Sequence, residues 1–291
     1  MNVCFTTALF DFALVLTLVV TWAINLPIME FLSEVMLADT SVQAFIYMAL
    51  LLIVGLPVLF YVNASGHYST MVVRKLFHVF AFVLFTPQLL KLGQSKALTR
   101  MMVFAFNCVT AFLMLIEVFR CKCRTDNPKH LYESIANTLD RYFSSYCDDR
   151  EGKERRTLIL THIYLLMGCA LAPTTVYILV DGGFVPDEFC VVSLSGVVFL
   201  GIGDSVAALY GKAFGHSRWS RYGKKTTEGS WACIFAACAA YFVLLYAYEN
   251  PYFRELFMAV AIASFVTGIL EGITFQFDNL ICPPIYFVAI L

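Results

Sequence analysis

The chain is built from long apolar runs separated by shorter polar segments. A helix that crosses the hydrocarbon core needs about 20 mainly apolar residues. The runs that meet or approach this length are residues 9–26, 43–62, 74–92, 99–118, 157–180, 189–212, 230–248, 254–273 and 279–291. The last run is short and contains two prolines, so we predict eight or nine spans. Because backbone polar groups in lipid must be paired internally, the pattern predicts an all-α, polytopic transmembrane helical bundle.

One long polar segment, residues 119–156, interrupts this pattern. Inside it, Leu131, Ile135 and Leu139 recur at a spacing of four residues, followed by an aromatic pair. This spacing predicts an amphipathic helix over residues 130–146. Such a helix either lies on the membrane surface or connects two spans in water, and the sequence leaves both interpretations open.

Composition supports the membrane class. The chain has 291 residues, of which 60% are hydrophobic and 14% are charged, and its mean hydropathy is +0.75. Soluble domains carry about 25% charged residues, so a soluble protein is excluded. The ten cysteines are scattered mostly through apolar runs and are interpreted as small hydrophobic residues rather than as a disulfide framework. We expect no nucleic-acid partner, and the sequence predicts no oligomeric state.

The placement of Lys and Arg predicts the orientation. With alternating sides, 16 of the 20 basic residues fall on one side, in segments 63–75, 119–156 and 212–229. Basic residues favour the cytosolic side of a membrane, so this side and the N-terminus are predicted to be cytosolic. The sequon at Asn63 should then carry no glycan. We divide the chain into residues 1–70, with the first two spans, and a catalytic membrane domain over residues 71–291.

Charged residues inside or beside the spans are the candidate functional residues. A charge at the bilayer centre costs at least about 2.5–3.5 kcal/mol, so charged residues in such positions usually have a function. Under the predicted topology, charged motifs far apart in sequence meet at the cytosolic face. They are Arg74, Lys75 and His78; Asp204; Lys224, Lys225 and Glu228; Glu271; and Asp278 with Asn279. This convergence predicts one site that combines lysines for phosphate with carboxylates for a divalent cation.

Each motif also has a plainer interpretation. Arg74 and Lys75 are placed as interfacial anchors would be. His78 is placed as a polar residue that is hydrogen-bonded within the bundle would be. Glu228 is placed as a favourable first-turn acid, and Asp278 as a helix cap. Thr226 or Thr227 is predicted to cap the helix that follows, which would present free backbone N–H groups to a phosphate.

Five segments resemble, in the same order, the polyprenol kinase family, which includes the dolichol kinases of eukaryotes. They are RKLFH at 74–78, TLILTHIYLLMG at 157–168, GIGDSVAALYGKAFG at 201–215, RWSRYGKKTTEGS at 218–230 and EGITFQFDNLICPPIYF at 271–287. The resemblance covers residues 70–291. It implies transfer of a phosphoryl group from CTP to the terminal hydroxyl of dolichol at the endoplasmic reticulum membrane, which supplies dolichyl phosphate for glycosylation. Eukaryotic dolichol kinases usually have further N-terminal spans, so we expect a compact member, an isoform or a fragment.

The resemblance and the residues together imply specific roles. The predicted nucleotide loop is 212–229, and a divalent cation such as Mg²⁺ is expected. Nucleotide contacts are assigned to Arg74, Lys75, Lys212, Lys224, Lys225, Thr226, Thr227 and Gly229. Metal ligands are assigned to Asp204, Glu228 and Asp278, with Glu271 and Asn279 as further candidates. Asp204 or His78 would accept the proton of the alcohol, and the sequence does not decide between them.

Two other functions remain open at this stage. A CTP-dependent phosphatidate cytidylyltransferase shares an Asp, a Gly-Lys-x-Phe-Gly and a Lys-Thr-x-Glu-Gly pattern with this chain. It usually ends in a His-Gly-Gly and Asp-Arg-x-Asp signature, which is missing here. A non-enzymatic lipid transporter would tend to hold its charges at the membrane midplane, between repeats.

Overall fold

The computed structural model describes most of the chain after the first 27 residues. The described residues are 28–125, 128–144, 158–180, 182–183, 185–220, 225–247, 253–274 and 278–291. The predicted first span, 9–26, lies outside them.

The described residues form helices and short connections. In chain order the helices are α1 (Ile28–Leu37), α2 (Asp39–Ala64), α3 (Thr70–Leu89), α4 (Lys96–Cys123), α5 (Leu131–Ser144), α6 (Thr161–Leu179), α7 (Asp187–Ser193), α8 (Ser195–Phe214), α9 (Thr227–Ala247), α10 (Phe253–Ile273) and α11 (Asp278–Ile290). A 3₁₀ turn, Leu92–Gln94, extends α3.

The prediction of an all-α polytopic bundle is confirmed. Seven helices in the described part are long and apolar enough to cross a membrane, namely α2, α3, α4, α6, α8, α9 and α10. Helix α11 is shorter but apolar, as its sequence predicted. The predicted amphipathic helix is present as α5.

The core lies where α6, α8, α9 and α11 meet. The rings of Phe199, Tyr241 and Tyr286 are fully buried there, and Tyr286 also bonds Ser264 of α10 at 2.8 Å. Helices α6 and α8 touch backbone to backbone, since a Cβ on Gly196 would collide with the carbonyl of Gly168. This tight packing gives a rigid frame for the helix ends.

Contacts between helix ends define two opposite sides of the bundle. On one side, Lys212 at the end of α8 donates to Ser69 just before α3, at 3.1 Å. On the other, Arg100 near the start of α4 pairs with Glu34 of α1 at 2.5 Å. The first side carries the start of α3, α9 and α11 and the end of α10. The charged motifs therefore meet on one side, as the alternating topology predicted.

A buried charge network joins α4 to α5. Arg120 is 1% exposed and pairs with Glu117 and with Asp140 of α5. Glu117 also accepts a hydrogen bond from the backbone N–H of Ile159, just before α6. The sequence analysis assigned no role to these residues. The sequence signal that could have revealed this network is an acid, Glu117, within an apolar run, followed three residues later by Arg120.

We expect Arg120→Met to lower the thermal unfolding temperature of the purified protein strongly. The substitution leaves the Glu117 carboxylate buried without its cation and leaves Asp140 with Arg124 alone, and breaking a buried pair in this way typically costs about 3–5 kcal/mol. Arg100→Met is the matched control, because the side chains of the Arg100–Glu34 pair are 30% and 34% exposed. Its cost should stay below about 1 kcal/mol. Equal shifts for the two variants in a thermal unfolding assay would contradict this account.

Candidate active site

Asp204 lies at a local irregularity of α8. The helix changes to π-helical turns over Phe199–Asp204 and returns to α geometry at Ser205. A π turn inserts one extra residue and leaves a backbone carbonyl without its usual partner. The Ser205 hydroxyl lies 3.4 Å from the carbonyl of Leu200 and 3.5 Å from that of Lys75 in α3. The irregular turn thus directs Asp204 toward α3.

A glycine allows α3 and α8 to approach at this level. A Cβ on Gly201 would lie 2.5 Å from the Cβ of Phe82 and 3.2 Å from the carbonyl of His78. The close approach brings the Lys75 ammonium to 2.5 Å from an Asp204 oxygen. Lys75 is 8% exposed and Asp204 3%, so this ion pair is withdrawn from solvent. Helix packing therefore sets the position of both charges.

His78 completes this half of the site one helical turn after Lys75. Its Nδ1 donates to the carbonyl of Arg74 at 2.7 Å, which places the ring proton on Nδ1 because a carbonyl only accepts. Its Nε2 lies 3.2 Å from Oδ1 of Asn279 and 3.5 Å from the same Asp204 oxygen that meets Lys75. The imidazole thus connects α3, α8 and α11.

Lys225 forms the second half of the site. Its ammonium lies 2.9 Å from Oε1 of Glu271, at the end of α10, and 2.8 Å from Oδ1 of Asp278, at the start of α11. It also donates to the backbone carbonyl of Glu271 at 2.5 Å. Burial alone would lower the pKa of Lys225, but the two carboxylates raise its pKa above the ordinary value. Lys225 is therefore held as a cation.

The two halves share a group of buried carboxylates. Asp204, Glu271 and Asp278 each offer an oxygen within 4.8 Å of the other two, and all three residues are at most 7% exposed. Three hard oxygen donors suit a divalent cation such as Mg²⁺. Two ligands of an octahedral Mg²⁺ are at most about 4.2 Å apart at bonds of roughly 2.1 Å, so a small adjustment of side chains would suffice.

The described residues between α8 and α9, namely 215–220 and 225–226, fold back over the end of the bundle and are called here the folded-back segment. Arg218 and Thr226 form an isolated antiparallel bridge, and the Trp219 N–H donates to the Lys225 carbonyl at 3.2 Å. The indole of Trp219 donates to Ser230 at 2.9 Å and packs where a Cβ on Gly272 would collide with it. These contacts fix the backbone at Lys225, whose side chain then reaches the carboxylates.

Thr226 caps α9, as its sequence predicted. Its hydroxyl accepts from the backbone N–H of Gly229 at 3.1 Å. Gly229 is buried against α8, and a Cβ on Gly211 would press on Thr226 and Gly229. The first turn of α9 is therefore clamped to α8.

The structure places Glu228 apart from the other predicted metal ligands. Its carboxylate accepts from the backbone N–H of Ser217 at 3.0 Å and from the Thr227 hydroxyl at 3.3 Å. It is not part of the group formed by Asp204, Glu271 and Asp278. Glu228 points toward the folded-back segment because the N–H of Ser217 there is within hydrogen-bond reach. Glu271, a further candidate in the sequence analysis, lies with Asp204 and Asp278 instead.

The other predicted nucleotide-binding residues lie around this group on the same side of the bundle. Arg74 begins the turn of α3 that carries Lys75, and Lys212 is exposed near the end of α8, where it contacts Ser69. Thr227 is the first residue of α9, and its N–H donates to the Ser217 carbonyl at 2.9 Å. Lys224 lies outside the described residues. Trp219 and Ser217, which fix the folded-back segment, were not singled out from the sequence.

Comparison with known proteins identifies relatives of the chain. It is 29% identical over 244 residues to Dolichol kinase EVAN of Arabidopsis thaliana, covering 83% of this chain and 39% of that protein. It is 28% identical over 281 residues to the human protein named dolichol kinase, covering 91% of this chain and 47% of that protein. It is 34% identical over 152 residues to Dolichol kinase sec59 of Schizosaccharomyces pombe, covering 50% and 27%.

The chain therefore spans less than half the length of each of these relatives. No family model matches it, and no solved structure matches it.

Proposed function

We propose that this chain, as a member of the polyprenol kinase family, transfers the γ-phosphoryl group of CTP to the terminal hydroxyl of dolichol. The product is dolichyl phosphate, which serves protein glycosylation. The observation that carries the proposal is the meeting of two lysines with three buried carboxylates at one end of an apolar bundle. Phosphoryl transfer depends mainly on positioning and on neutralising charge, and this arrangement supplies both kinds of group.

The cationic residues would hold the phosphates of CTP. Lys75 and Lys225 approach the site from opposite sides, and Arg74, Lys212 and Lys224 lie near them in space or in sequence. The start of α9 adds the positive end of a helix dipole, which favours anions nearby, while its Thr227 and Gly229 N–H groups bond Ser217 and Thr226. The site faces the end of the bundle, where a nucleotide in water and a lipid hydroxyl at the membrane surface can both arrive.

Asp204, Glu271 and Asp278 would hold the divalent cation, which we take to be Mg²⁺. When bound, the cation neutralises the charge that develops on the phosphate oxygens. Glu228 instead stabilises the segment that carries Lys225. This assignment follows from the 4.8 Å grouping of the three carboxylates and from the contact of Glu228 with Ser217.

Asp204 and His78 would act together as the acceptor of the alcohol proton. His78 Nε2 lies 3.5 Å from Asp204 Oδ2, and Nδ1 is already engaged by the Arg74 carbonyl. A proton taken by Asp204 can therefore pass to Nε2 with little movement. Asn279 Oδ1, at 3.2 Å from the same nitrogen, would accept a hydrogen bond from Nε2 once the imidazole has taken the proton.

We expect the purified protein, given CTP labelled at the γ-phosphate with Mg²⁺ and dolichol, to form labelled dolichyl phosphate. Label from the cytidine moiety in lipid would instead indicate the cytidylyltransferase, and no labelled lipid with either nucleotide label would favour the transporter. Asp204→Asn and Glu271→Gln should lower turnover about 10²–10³-fold, because each removes a main charge contact of the transition state.

The matched control for this experiment is Glu228→Gln. Its carboxylate contacts the folded-back segment and not the carboxylate group, so its loss of turnover should be clearly smaller than that of Glu271→Gln. A folded Glu271→Gln protein with near-native turnover, or a larger loss for Glu228→Gln, would contradict the assignment of the metal ligands.

Lysines and a divalent cation would compete for the same carboxylate oxygens. Lys225 lies within 2.9 Å of Glu271 and Asp278, and Lys75 lies 2.5 Å from Asp204. If these oxygens held a divalent cation, the ammonium groups of Lys75 and Lys225 would need other anionic partners. The phosphates of CTP are such partners. Cation and nucleotide should therefore bind cooperatively, each raising the affinity for the other by the same factor.

Substitution of Lys225 tests this competition without any turnover. We expect Lys225→Met to bind Mn²⁺, measured by electron paramagnetic resonance without nucleotide, at least about tenfold more tightly than the native protein, equivalent to roughly 1.4 kcal/mol. CTP should then raise Mn²⁺ affinity less than it does in the native protein. Lys225→Arg keeps the charge and should show no gain. Unchanged Mn²⁺ affinity in Lys225→Met would refute the competition.

We propose that the protein resides in the endoplasmic reticulum membrane with the site facing the cytosol. The 16 basic residues on the side of the site support this orientation. An epitope tag inserted after residue 150 should be accessible when only the plasma membrane is permeabilised. A tag after residue 183, on the opposite side, should require full permeabilisation. The reverse result, or a glycan on Asn63, would overturn the orientation.

A further inference from the structure

Helix α5 has three chemically different sides. Ala136 and Asp140 are buried against α4 and form its docking side. Leu131 and Ile135 are 78% and 46% exposed and form an apolar flank. The remaining side is polar and exposed, and its residues are Ser134 and Arg141. An exposed apolar flank beside an exposed polar side is typical of a helix that lies at the boundary between a membrane and water.

The docking side is held by the buried charges of α4. Arg120 pairs with Asp140, and Arg124 reaches the other Asp140 oxygen at 3.0 Å. Asn137 adds two hydrogen bonds to the backbone of Thr125, of 3.2 Å from its N–H and 2.8 Å to its carbonyl. Since bidentate and buried contacts of this kind define geometry closely, α5 cannot turn its apolar flank inward without breaking them.

The level of α5 relative to the membrane follows from the same contacts. Arg120 lies three residues before the end of α4, a helix long and apolar enough to span. A helix docked at that point lies near the boundary between hydrocarbon and headgroups, on the side of the bundle that also carries the candidate active site. Helix α5 has only 14 residues, which is too short to cross a bilayer but is compatible with a position on its surface.

The apolar flank continues into the lipid-facing surface of the bundle. Tyr142, on the same stripe as Leu131 and Ile135, meets the ring of Phe60 in α2 edge to face, with centroids 4.9 Å apart. Helix α2 is the most exposed of the apolar spans, with 6% of its best window buried in the protein. The apolar flank of α5 therefore adjoins the exposed surface of α2 at this ring contact.

From these observations we infer that α5 is an interfacial helix whose apolar flank rests in the bilayer. Leu131 and Ile135 contact acyl chains, the Tyr132 ring lies at headgroup depth, and Ser134 and Arg141 face water. The partner is the lipid surface itself, and the inference does not depend on the proposed function. The alternatives are a second copy of this chain and plain solvent, and the test separates them.

Photo-crosslinking distinguishes these cases. Benzoylphenylalanine is placed singly at Leu131, Ile135, Ser134 and Arg141 in protein reconstituted in phosphatidylcholine vesicles, and adducts are identified by mass spectrometry. Ile53 in α2, which is 70% exposed, serves as the lipid-facing reference. We expect phospholipid adducts at Leu131 and Ile135 in yields similar to Ile53 and at least about tenfold above Ser134 and Arg141.

Two results would overturn the inference. Phospholipid adducts at Ile53 but not at Leu131 and Ile135 would place α5 in water. Adducts of doubled protein mass at Leu131 or Ile135 would assign the flank to a second copy of the chain. All labelled positions are exposed, so the elution profile of each variant should match that of the native protein.

Discussion

Burial of charge in an apolar bundle is the constraint on which this structure depends. The interior is largely apolar, so Lys75, Asp204, Glu271 and Asp278 must each be matched by an opposite charge from elsewhere in the fold. The matching partners lie on α3, α8, α10 and α11 and at Lys225, two residues before α9. Helices that are far apart in sequence are thus held in one arrangement by the charges that they bring. Packing glycines such as Gly201 permit the approach, and the ion pairs specify where it occurs.

The features predicted well from sequence are those that follow from local pattern. Spans follow from the length of apolar runs, and the one-sided meeting of motifs follows from alternating topology and from the unequal distribution of Lys and Arg. The cap at Thr226 follows from its position before a helix. These inferences need only the residues themselves and the solvent that surrounds them. The first predicted span lies outside the described residues and stays a prediction.

What the sequence left open depends on how segments fold in three dimensions. Glu228 and Glu271 are both acids at helix ends on the same side, and neither pattern nor composition separates them. The difference arises because the segment around Ser217 folds back and offers N–H groups to Glu228, which leaves Glu271 to meet Lys225. In the same way, Glu117 and Arg120 are near in sequence, but their partner Asp140 is brought to them only by the docking of α5.

The site and the docking of α5 are also linked by packing. Glu117 holds the backbone just before α6, where Leu160, Ile163 and Tyr164 form a small core with Met114. Leu280 packs against that core, and its neighbour Asn279 contacts His78. A helix that rests on the membrane surface is therefore connected, through a few packed side chains, to the residues that would meet a lipid hydroxyl. The proposed transfer to an acceptor anchored in the bilayer would need a fixed height of the site above the hydrocarbon as well as the charges within it. The buried ion pair of Arg120 and Asp140 would fix this height, because it attaches the surface helix α5 to the end of the spanning helix α4.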